Sequence, residues 1–297
     1  MYNRHLETFI QVADSGSFSK AAEILYISPT AVMKQITLLE QEIGLKLFER
    51  SYRGIKLTKA GASIYGDAKY LIKYTKDAIV RANNAMQSEE KIIRIGTSLM
   101  TPGQFILELW PTVKEICPDI KFRMVPFDNT PENAREILSN LGKNIDIVSG
   151  WFDEKFLERR GCTALKLEDE PICCAVSINH RFAFKDKISI SELYGENVML
   201  IHRGWNSRTD AIRDEIWSAH PQIQLTDIPF FNVEAFNKCE SSNAVLIGFQ
   251  KWETVHPLIK IVPVEWDYTI PFGIFHSVNP SSHVKEFLAA VSKVCHL

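Results

Sequence analysis

Ser17-Phe18-Ser19-Lys20-Ala21-Ala22-Glu23-Ile24-Leu25, then Ser28-Pro29-Thr30-Ala31-Val32-Met33-Lys34-Gln35-Ile36 and Leu38-Leu39-Glu40, is the stretch whose reading decides the fold. It reads as two short helices joined by a tight turn, with small residues where the helices cross. Ser28 before Pro29 is an N-cap followed by the one helical position where proline fits, so a helix starts there and continues to about Glu42, ahead of Gly44. Val32, Ile36, Leu39 and Ile43 share one arc of that helix and are expected to pack inward on Ala21, Ala22 and Leu25. The opposite arc carries Thr30, Lys34, Thr37 and Gln41. An inward seam with short polar and cationic residues across from it is what a helix needs to enter the major groove of DNA, and a solvated surface is the bland alternative.

Working outward, Leu6, Phe9, Ile10 and Ala13 follow helical spacing up to Gly16 and predict a first helix from about Asn3 to Asp14, with the second from about Ser19 to Leu25. After Gly44, the segment Leu45 to Thr58 predicts two short strands around Tyr52-Arg53-Gly54, a wing on which Arg50, Arg53 and Lys56 could meet phosphates or the minor groove. From Lys59 to about Ser88 the pattern becomes one long helix, roughly 45 Å if it holds 30 residues. Its seam is Ile64, Ala68, Leu71, Thr75, Ala78, Ala82 and Ala85, and a second stripe is Tyr65, Ile72, Ile79 and Met86. That pattern predicts a dimerisation and linker helix, not one buried in its own domain.

Beyond Glu89, predicted strands and helices alternate: Ile92–Gly96, helix Pro102–Ile116, Ile120–Val125, helix Pro131–Leu141 and Ile145–Ser149. The alternation recurs as Ile172–Ser177, Val198–His202, a helix from about Arg208 to Ala219, Pro229–Asn232, a helix near Val233–Glu240, and Val245–Phe249. Two α/β lobes follow. A final strand Phe272–His276 and helix Ser281–Cys295 return to the first lobe, which makes Cys162–Leu167 and about Glu265–Ile270 the crossing strands. The expected layout is a winged helix-turn-helix at 1–58, a linker helix at 59–88 and an α/β region at 89–297. Lobe I takes about 89–162 and 270–297, and lobe II about 163–269.

The net charge of −2 is unevenly spread. Residues 1–88 carry 12 Lys and Arg against 8 Asp and Glu, whereas residues 89–297 carry 22 against 28, so the front third is the part suited to a polyanion. Apolar runs such as Ile92-Ile93-Arg94-Ile95 are far shorter than the roughly 20 residues of a membrane helix, and the N-terminus lacks a secretory apolar core, which gives a cytoplasmic expectation without a membrane partner. Cys117, Cys162, Cys173, Cys174, Cys239 and Cys295 show no metal-ligand spacing, so no metal and no cofactor are expected. The adjacent Cys173 and Cys174 read as buried spectators, with a redox-sensing thiol as the alternative. Gly-x-Ser-x-Gly, His-Glu-x-x-His, phosphate-loop and dinucleotide-binding motifs are missing, and Ser17-x-x-Lys20 stands without the companions of a serine acylase. Catalysis is not expected.

Taken together, Leu6, Phe9, Ser17-Phe18, Ala21-Ala22, Leu25, Ser28, Ala31-Val32, Gln35-Ile36, Leu39-Glu40, Gly44, Leu47-Phe48, Arg50, Leu57-Thr58 and Ala60-Gly61 resemble the winged helix-turn-helix of LysR-type transcriptional regulators. The remainder resembles that family's layout and, more loosely, periplasmic-binding-protein folds. The resemblance implies an N-terminal all-α winged helix-turn-helix plus long linker helix, followed by a two-lobed α/β effector domain. It also implies a homodimer or homotetramer on an inverted-repeat promoter site of double-stranded DNA, shifted by a small molecule bound between the lobes. The family's recognition helix has glutamine where this chain has Pro29 and serine where it has Met33, which leaves Thr30 and Lys34 as the candidate base readers. Ser28, Pro29, Met33 and Thr37 complete the candidate interface on that helix, with Arg50, Arg53 and Lys56 on the wing.

For a small molecule, Thr101-Pro102 and Thr130-Pro131 each follow a predicted strand and open a predicted helix, so both helix starts should lie on the carboxyl edge of one sheet, where ligands of open α/β sheets bind. Free N–H groups there favour an anion. Thr97, Ser98 and Thr101 would supply hydroxyls, and Trp151 a wall. In lobe II, His202-Arg203-Gly204-Trp205-Asn206-Ser207-Arg208 leads into a helix, with Ser207-x-x-Asp210 resembling a capping box. Arg203 is the candidate cation facing an acidic effector, unless it pairs with Asp210 or Glu234. His202 and Gly248 complete the candidates. A solute-binding protein of the same two-lobed fold without DNA function is the competing reading.

Overall fold

The helix-turn-helix forms as the capping residues direct. The computed structural model describes residues 2–51, 54–86, 91–101 and 103–297, and the chain divides into two units, Met1–Ser88 and Glu89–Leu297. In the first unit, α1 (His5–Ser15) ends at Gly16, whose φ of 63° is the left-handed conformation that a C-cap glycine reaches without strain. The side chain of Ser17 accepts the Lys20 N–H and opens α2 (Phe18–Leu25). That contact absorbs the Ser17-x-x-Lys20 pair as a helix cap. Ser28 accepts the Ala31 N–H and opens α3 (Pro29–Ile43), with Pro29 in the first turn.

Leu6, Phe9, Val12, Ala21, Ala22, Val32, Ile36 and Leu39 form the core of this unit. Ile43, expected in the same seam, is exposed at the C-terminal end of α3, and Glu40 is buried instead. The wing is β1 (Phe48–Ser51) paired antiparallel with β2 (Gly54–Leu57), in a register running from Phe48 opposite Leu57 to Ser51 opposite Gly54.

Helix α4 (Lys59–Met86) divides its apolar positions between two roles. Ala68 and Ile72, flanked by Ile64 and Tyr65, pack into the unit's own core, with the Tyr65 ring 6.5 Å from that of Phe9. This corrects the reading of the helix as unburied in its own domain: its first turns must cover α1, because three short helices alone bury too little surface. Leu71 and Ile79 remain 47% and 50% exposed, and Tyr70 stacks on Tyr74 beside them. The side chains of Ala85 and Met86, at the end of the two stripes, lie outside the described residues.

The second unit is a two-lobed α/β fold threaded by two long strands. Lobe I holds β3 (Ile92–Thr97), α5 (Gln104–Ile116), β4 (Lys121–Pro126), α6 (Pro131–Ser139), β5 (Ile147–Trp151) and α7 (Glu154–Arg160). Strand β6 (Cys162–Ser177) then crosses to lobe II, made of β7 (Asn197–Ile201), α8 (Ser207–Ala219), β8 (Gln224–Ile228), α9 (Val233–Ser242), β9 (Val245–Phe249) and β10 (Ile259–Val262). Strand β11 (Thr269–Ser277) returns to lobe I and leads into α10 (Ser282–Val294). The strand order is β4-β3-β5-β11-β6-β9-β7-β8, with β10 on β6; β3 pairs parallel with β4 and β5, β7 pairs parallel with β8 and β9, and β6 and β11 run antiparallel to their neighbours.

Several sequence expectations are corrected here. Cys162–Leu167 and Ile172–Ser177 are the two ends of one 16-residue strand. The polar run Glu168-Asp169-Glu170-Pro171 between them stays extended because β11 continues to pair with it, Thr269 lying opposite Pro171. Likewise, the predicted crossing strand at Glu265–Ile270 and the predicted strand at Phe272–His276 give one strand that begins at Thr269. At its bulge, a Cβ on Gly273 would stand 2.2 Å from the Leu165 carbonyl oxygen, so only glycine lets the two backbones approach. The strand predicted at Pro229–Asn232 lies earlier, at β8, a sheet-edge segment that is polar because one side has no strand neighbour. Helix α7 and strand β10 had no counterpart in the sequence reading. Ile93, Ile95, Ile106, Val113, Phe287 and Val291 seal β3, α5 and α10 together in lobe I, each large side chain contributing about 1.5–3 kcal/mol. Among the described residues, no helix is long and apolar enough to cross a membrane.

Candidate nucleic-acid interface and effector cavity

On α3, the buried Val32, Ile36 and Leu39 fix which side chains face out. Ser28, Pro29, Thr30 and Lys34 are exposed, Met33 and Thr37 are half-buried beside them, and Lys56 is exposed on β2. The Thr37 hydroxyl donates to the Met33 carbonyl at 2.9 Å, so it retains only acceptor capacity toward a ligand. Ser28 spends its oxygen on the helix cap. Gln35 turns inward, accepting from the Thr8 hydroxyl at 2.5 Å and tying α3 to α1. Of the wing candidates, Arg53 and the Arg50 side chain lie outside the described residues.

Two residues here escaped the sequence reading. Tyr26 sits in the turn between α2 and α3 with φ of 55° and is 95% exposed, which puts a phenol beside the start of α3. Its signal was an aromatic residue at a turn position outside either apolar seam. Glu40 is only 6% exposed; its carboxylate accepts the Leu47 N–H at 2.9 Å and the Lys46 ammonium at 2.5 Å, bracing α3 against the segment that opens the wing. Burial opposes its ionisation, but Lys46 and the Leu47 and Phe48 N–H groups outweigh it and hold the carboxyl below its ordinary range.

In the second unit, a cavity of about 100 Å³ opens between the lobes and runs into lobe I. Phe127, Ala134, Ile137, Leu138, Phe156 and Phe275 line it from lobe I, and Trp205, Phe231, Phe249 and Trp252 from lobe II. Trp151 is among the lining residues. Its ring stacks on Phe249 with 4.4 Å between centroids and meets Trp252 edge-on at 5.0 Å, while its Nε1–H donates to buried Glu170 at 2.6 Å. Burial pushes the Glu170 carboxyl up, against the lowering effect of the N–H groups of Lys251 and Trp151.

Of the sequence candidates, Thr101 and Trp151 line this cavity. The others stand elsewhere. Thr97 carries its carbonyl to the Phe127 N–H at 3.0 Å, and Ser98 forms a tight bridge with Thr101. Thr130 caps α6 by accepting the Asn133 N–H at 3.2 Å, as expected. Thr101 does not cap α5: its hydroxyl accepts the Ser98 N–H at 2.9 Å and the helix begins at Gln104, while Pro102 lies outside the described residues. The expected pair of capped helix starts on one sheet edge is therefore not formed. Asn206, not Ser207, caps α8, and Asp210 turns back to accept the Gly204 N–H at 3.0 Å.

Arg203 is 58% exposed and ion-paired to Asp214, and His202 is exposed with Nδ1 against the Arg203 carbonyl at 2.9 Å; neither lines the cavity. Gly248 acts through a neighbour: a Cβ there would meet the Trp252 ring at 3.1 Å, so its bare backbone lets that indole lie where it lines the cavity. The cation at the cavity is Arg160, which the sequence reading missed because helix α7 was not foreseen. Its Nη1 is buried without a hydrogen-bond partner, and burial together with Arg135 and Arg159 lowers its pKa.

The cysteines are free thiols, and Cys162, Cys173, Cys174 and Cys239 are buried. Burial pushes Cys162 up to about 11 and Cys173 and Cys239 up to about 12, so the thiolate that a redox sensor needs is suppressed.

Residues 3–62 match the family described as "Bacterial regulatory helix-turn-helix protein, lysR family". The chain is similar to the HTH-type transcriptional regulator ClcR of Pseudomonas putida, 28% identical over 67% of this chain and 66% of that protein. It is also similar to the HTH-type transcriptional regulator CysL of Bacillus subtilis (strain 168), 31% identical over 70% of this chain and 67% of that protein. The chain thus spans just under two thirds of the length of ClcR. The crystal structure of CbnR, a LysR family transcriptional regulator, shares the fold with a TM-score of 0.66 at 18% identity, covering 99% of both chains. With helix-turn-helix, wing and long helix in place at one end and the two-lobed α/β fold at the other, the chain belongs to the LysR family.

Proposed function

We propose that this chain is a sequence-specific DNA-binding transcriptional regulator, acting as a homo-oligomer on an inverted-repeat promoter site, whose binding is modulated by a small molecule held in the cavity of its second unit. One observation carries the DNA reading: Thr30 and Lys34 are exposed on the face of α3 opposite the fully buried Val32 and the Ile36–Leu39 seam. Lys34 can donate to guanine acceptors or a phosphate, and Thr30 or Met33 can pack on a thymine methyl. Arg53, Arg50 and Lys56 supply phosphate contacts from the wing. Exposed Leu71, Ile79, Tyr70 and Tyr74 on α4 support self-association, since a single chain leaves that apolar face in water. The transcriptional regulators ClcR and CysL support the same reading by name. No residue is assigned a catalytic role, and the chain is read as working in the cytoplasm, where the DNA is.

The test is footprinting on the DNA upstream of the protein's own coding region, followed by affinity measurements against salt. Lys34→Ala is expected to cost about 1–3 kcal/mol of binding, and Arg53→Ala to reduce the salt slope by about 1. Lys260→Ala, a surface change in the second unit, serves as the control. Binding with no sequence preference, or affinity unchanged in both variants, defeats the reading and leaves the solute-binding alternative.

A further inference from the structure

We propose that Tyr26, in the turn between α2 and α3, is a positioning contact on DNA: its hydroxyl donates to a phosphate oxygen at the edge of the groove that α3 enters. This goes beyond the interface residues assigned above and rests on the DNA-binding reading of the first unit.

The backbone at Tyr26 carries strain that the fold does not require. Helices α1, α3 and α7 close on Gly16, Gly44 and Gly161 in the left-handed conformation, and α9 closes on Asn243. Those residue types reach positive φ at little cost. Helix α2 instead closes on a bulky side chain, Tyr26 at φ 55° and ψ 39°. The closure itself is made by main-chain groups: the Tyr26 N–H donates to the Ala22 and Glu23 carbonyls, and the Ile27 N–H to the Ala22 carbonyl at 3.0 Å. Glycine would make the same bonds without a Cβ crowding the following carbonyl, so the phenol is present despite its conformational cost.

No packing within the protein offsets that cost. Tyr26 is 95% exposed. The hydroxyls of Tyr2, Tyr65, Tyr194 and Tyr268 bond to Glu7, Asp14, His220 and Glu215. Among the described residues the Tyr26 hydroxyl has no such partner. An exposed aromatic on a strained backbone, its hydroxyl unused, is fitted to an acceptor outside the chain.

Its place in the fold identifies the acceptor. Tyr26-Ile27-Ser28-Pro29-Thr30 is an unbroken exposed run that leads from the end of α2 onto the face of α3 carrying Thr30 and Lys34. In a helix-turn-helix the second helix sets its N-terminal residues against base edges while the first crosses the sugar-phosphate backbone, so the turn between them stands where groove and phosphates meet. Tyrosine is among the side chains that bond phosphate oxygens and thereby fix a protein's register on the duplex. A phenol does this as a neutral donor, which leaves counterion release unchanged, unlike a lysine or arginine.

The experiment uses the full-length protein and the duplex footprinted upstream of its own coding region. Tyr26→Phe is expected to bind about 3- to 10-fold more weakly, the scale of one neutral hydrogen bond, with an unchanged salt slope. Tyr26→Gly should bind at least as weakly yet melt at or above the wild-type temperature, because it removes the strained Cβ; a residue that only held the turn together would lower the melting temperature. Duplexes carrying one neutral methylphosphonate at each phosphate in turn locate the contact. At one position in each half-site the wild type should lose that same factor while Tyr26→Phe loses nothing further. Tyr26→Phe binding as tightly as the wild type, or losing as much as the wild type at every methylphosphonate, overturns the inference and leaves the DNA reading intact. A wild type without sequence-specific affinity for the duplex defeats both.

Discussion

Asp153 accepts the Ser207 N–H on Oδ2 at 2.6 Å and the Phe156 N–H on Oδ1 at 2.7 Å, so one carboxylate caps the first turn of α7 in lobe I and of α8 in lobe II. A single side chain thereby joins the two lobes at the rim of the cavity, where Arg159 adds its bonds to the Gly204 and Trp205 carbonyls.

Burial disfavours the Asp153 anion, but the Ser207 and Phe156 N–H groups and Arg159 outweigh it and hold the carboxyl below its ordinary range. Asp153→Ala is expected to cost about 1–2 kcal/mol at neutral pH, the scale of a lost cap. A carboxyl depressed in the folded state contributes stability that is present above the unfolded pKa of about 3.9 and lost as pH falls through the folded one. Urea unfolding of both proteins between pH 7 and pH 3 should therefore show the gap closing on acidification.

Glu40 carries a comparable load in the first unit, where its carboxylate satisfies the Leu47 N–H and the Lys46 ammonium. Glu40→Ala leaves a buried donor unpaired and is expected to cost about 1–3 kcal/mol. Because this pKa is also lowered on folding, the loss should shrink as pH falls below about 4.3. Thermal unfolding followed at several pH values checks both the size and the sign.

The glycines of α4 provide a paired test. A Cβ on Gly61 would stand 2.1 Å from the Leu47 carbonyl oxygen, whereas Gly66 has nothing within 4 Å. Gly61→Ala is expected to destabilise by more than about 1 kcal/mol through forced backbone separation, and Gly66→Ala to stabilise by up to about 1 kcal/mol through helix propensity. Melting temperatures should move in opposite directions.

Glu170 titrates with the reverse sign. Burial raises its pKa on folding, so its contribution is present below the unfolded pKa of about 4.3 and lost as pH rises through the elevated folded value. Glu170→Gln removes that dependence at the cost of one acceptor for Trp151 or Lys251. Whatever the offset, the stability of the variant relative to wild type should improve as pH rises from 4 to 7. Fluorescence of Trp151, which loses a charged neighbour, should change in parallel.

The first unit was legible almost residue by residue, because caps and apolar spacing act within a turn or two of chain: Ser17 and Ser28 cap the helices they precede, and Val32, Ile36 and Leu39 are buried together. The cavity was legible only in part. Trp151 and Thr101 line it, but Arg203, the candidate cation, is neutralised by Asp214 on α8, and Thr101 spends its hydroxyl on Ser98. Strand lengths misread at Glu168-Asp169-Glu170-Pro171 follow the same logic, since that polar run is held straight by β11, about a hundred residues away in the sequence.

Sequence by itself determined the helix-turn-helix, the wing, the long helix and the alternation of the α/β lobes, since each rests on capping, turn chemistry and periodicity carried by neighbouring residues. Only the tertiary structure decided which charges remain available. Arg203 and Arg160 are equivalent as letters, yet Asp214 meets one, while the other lies over the Phe156 ring at the cavity with its Nη1 unpaired. A side chain's capacity to bind is what its distant neighbours leave unused, and that is settled only when the chain has closed on itself.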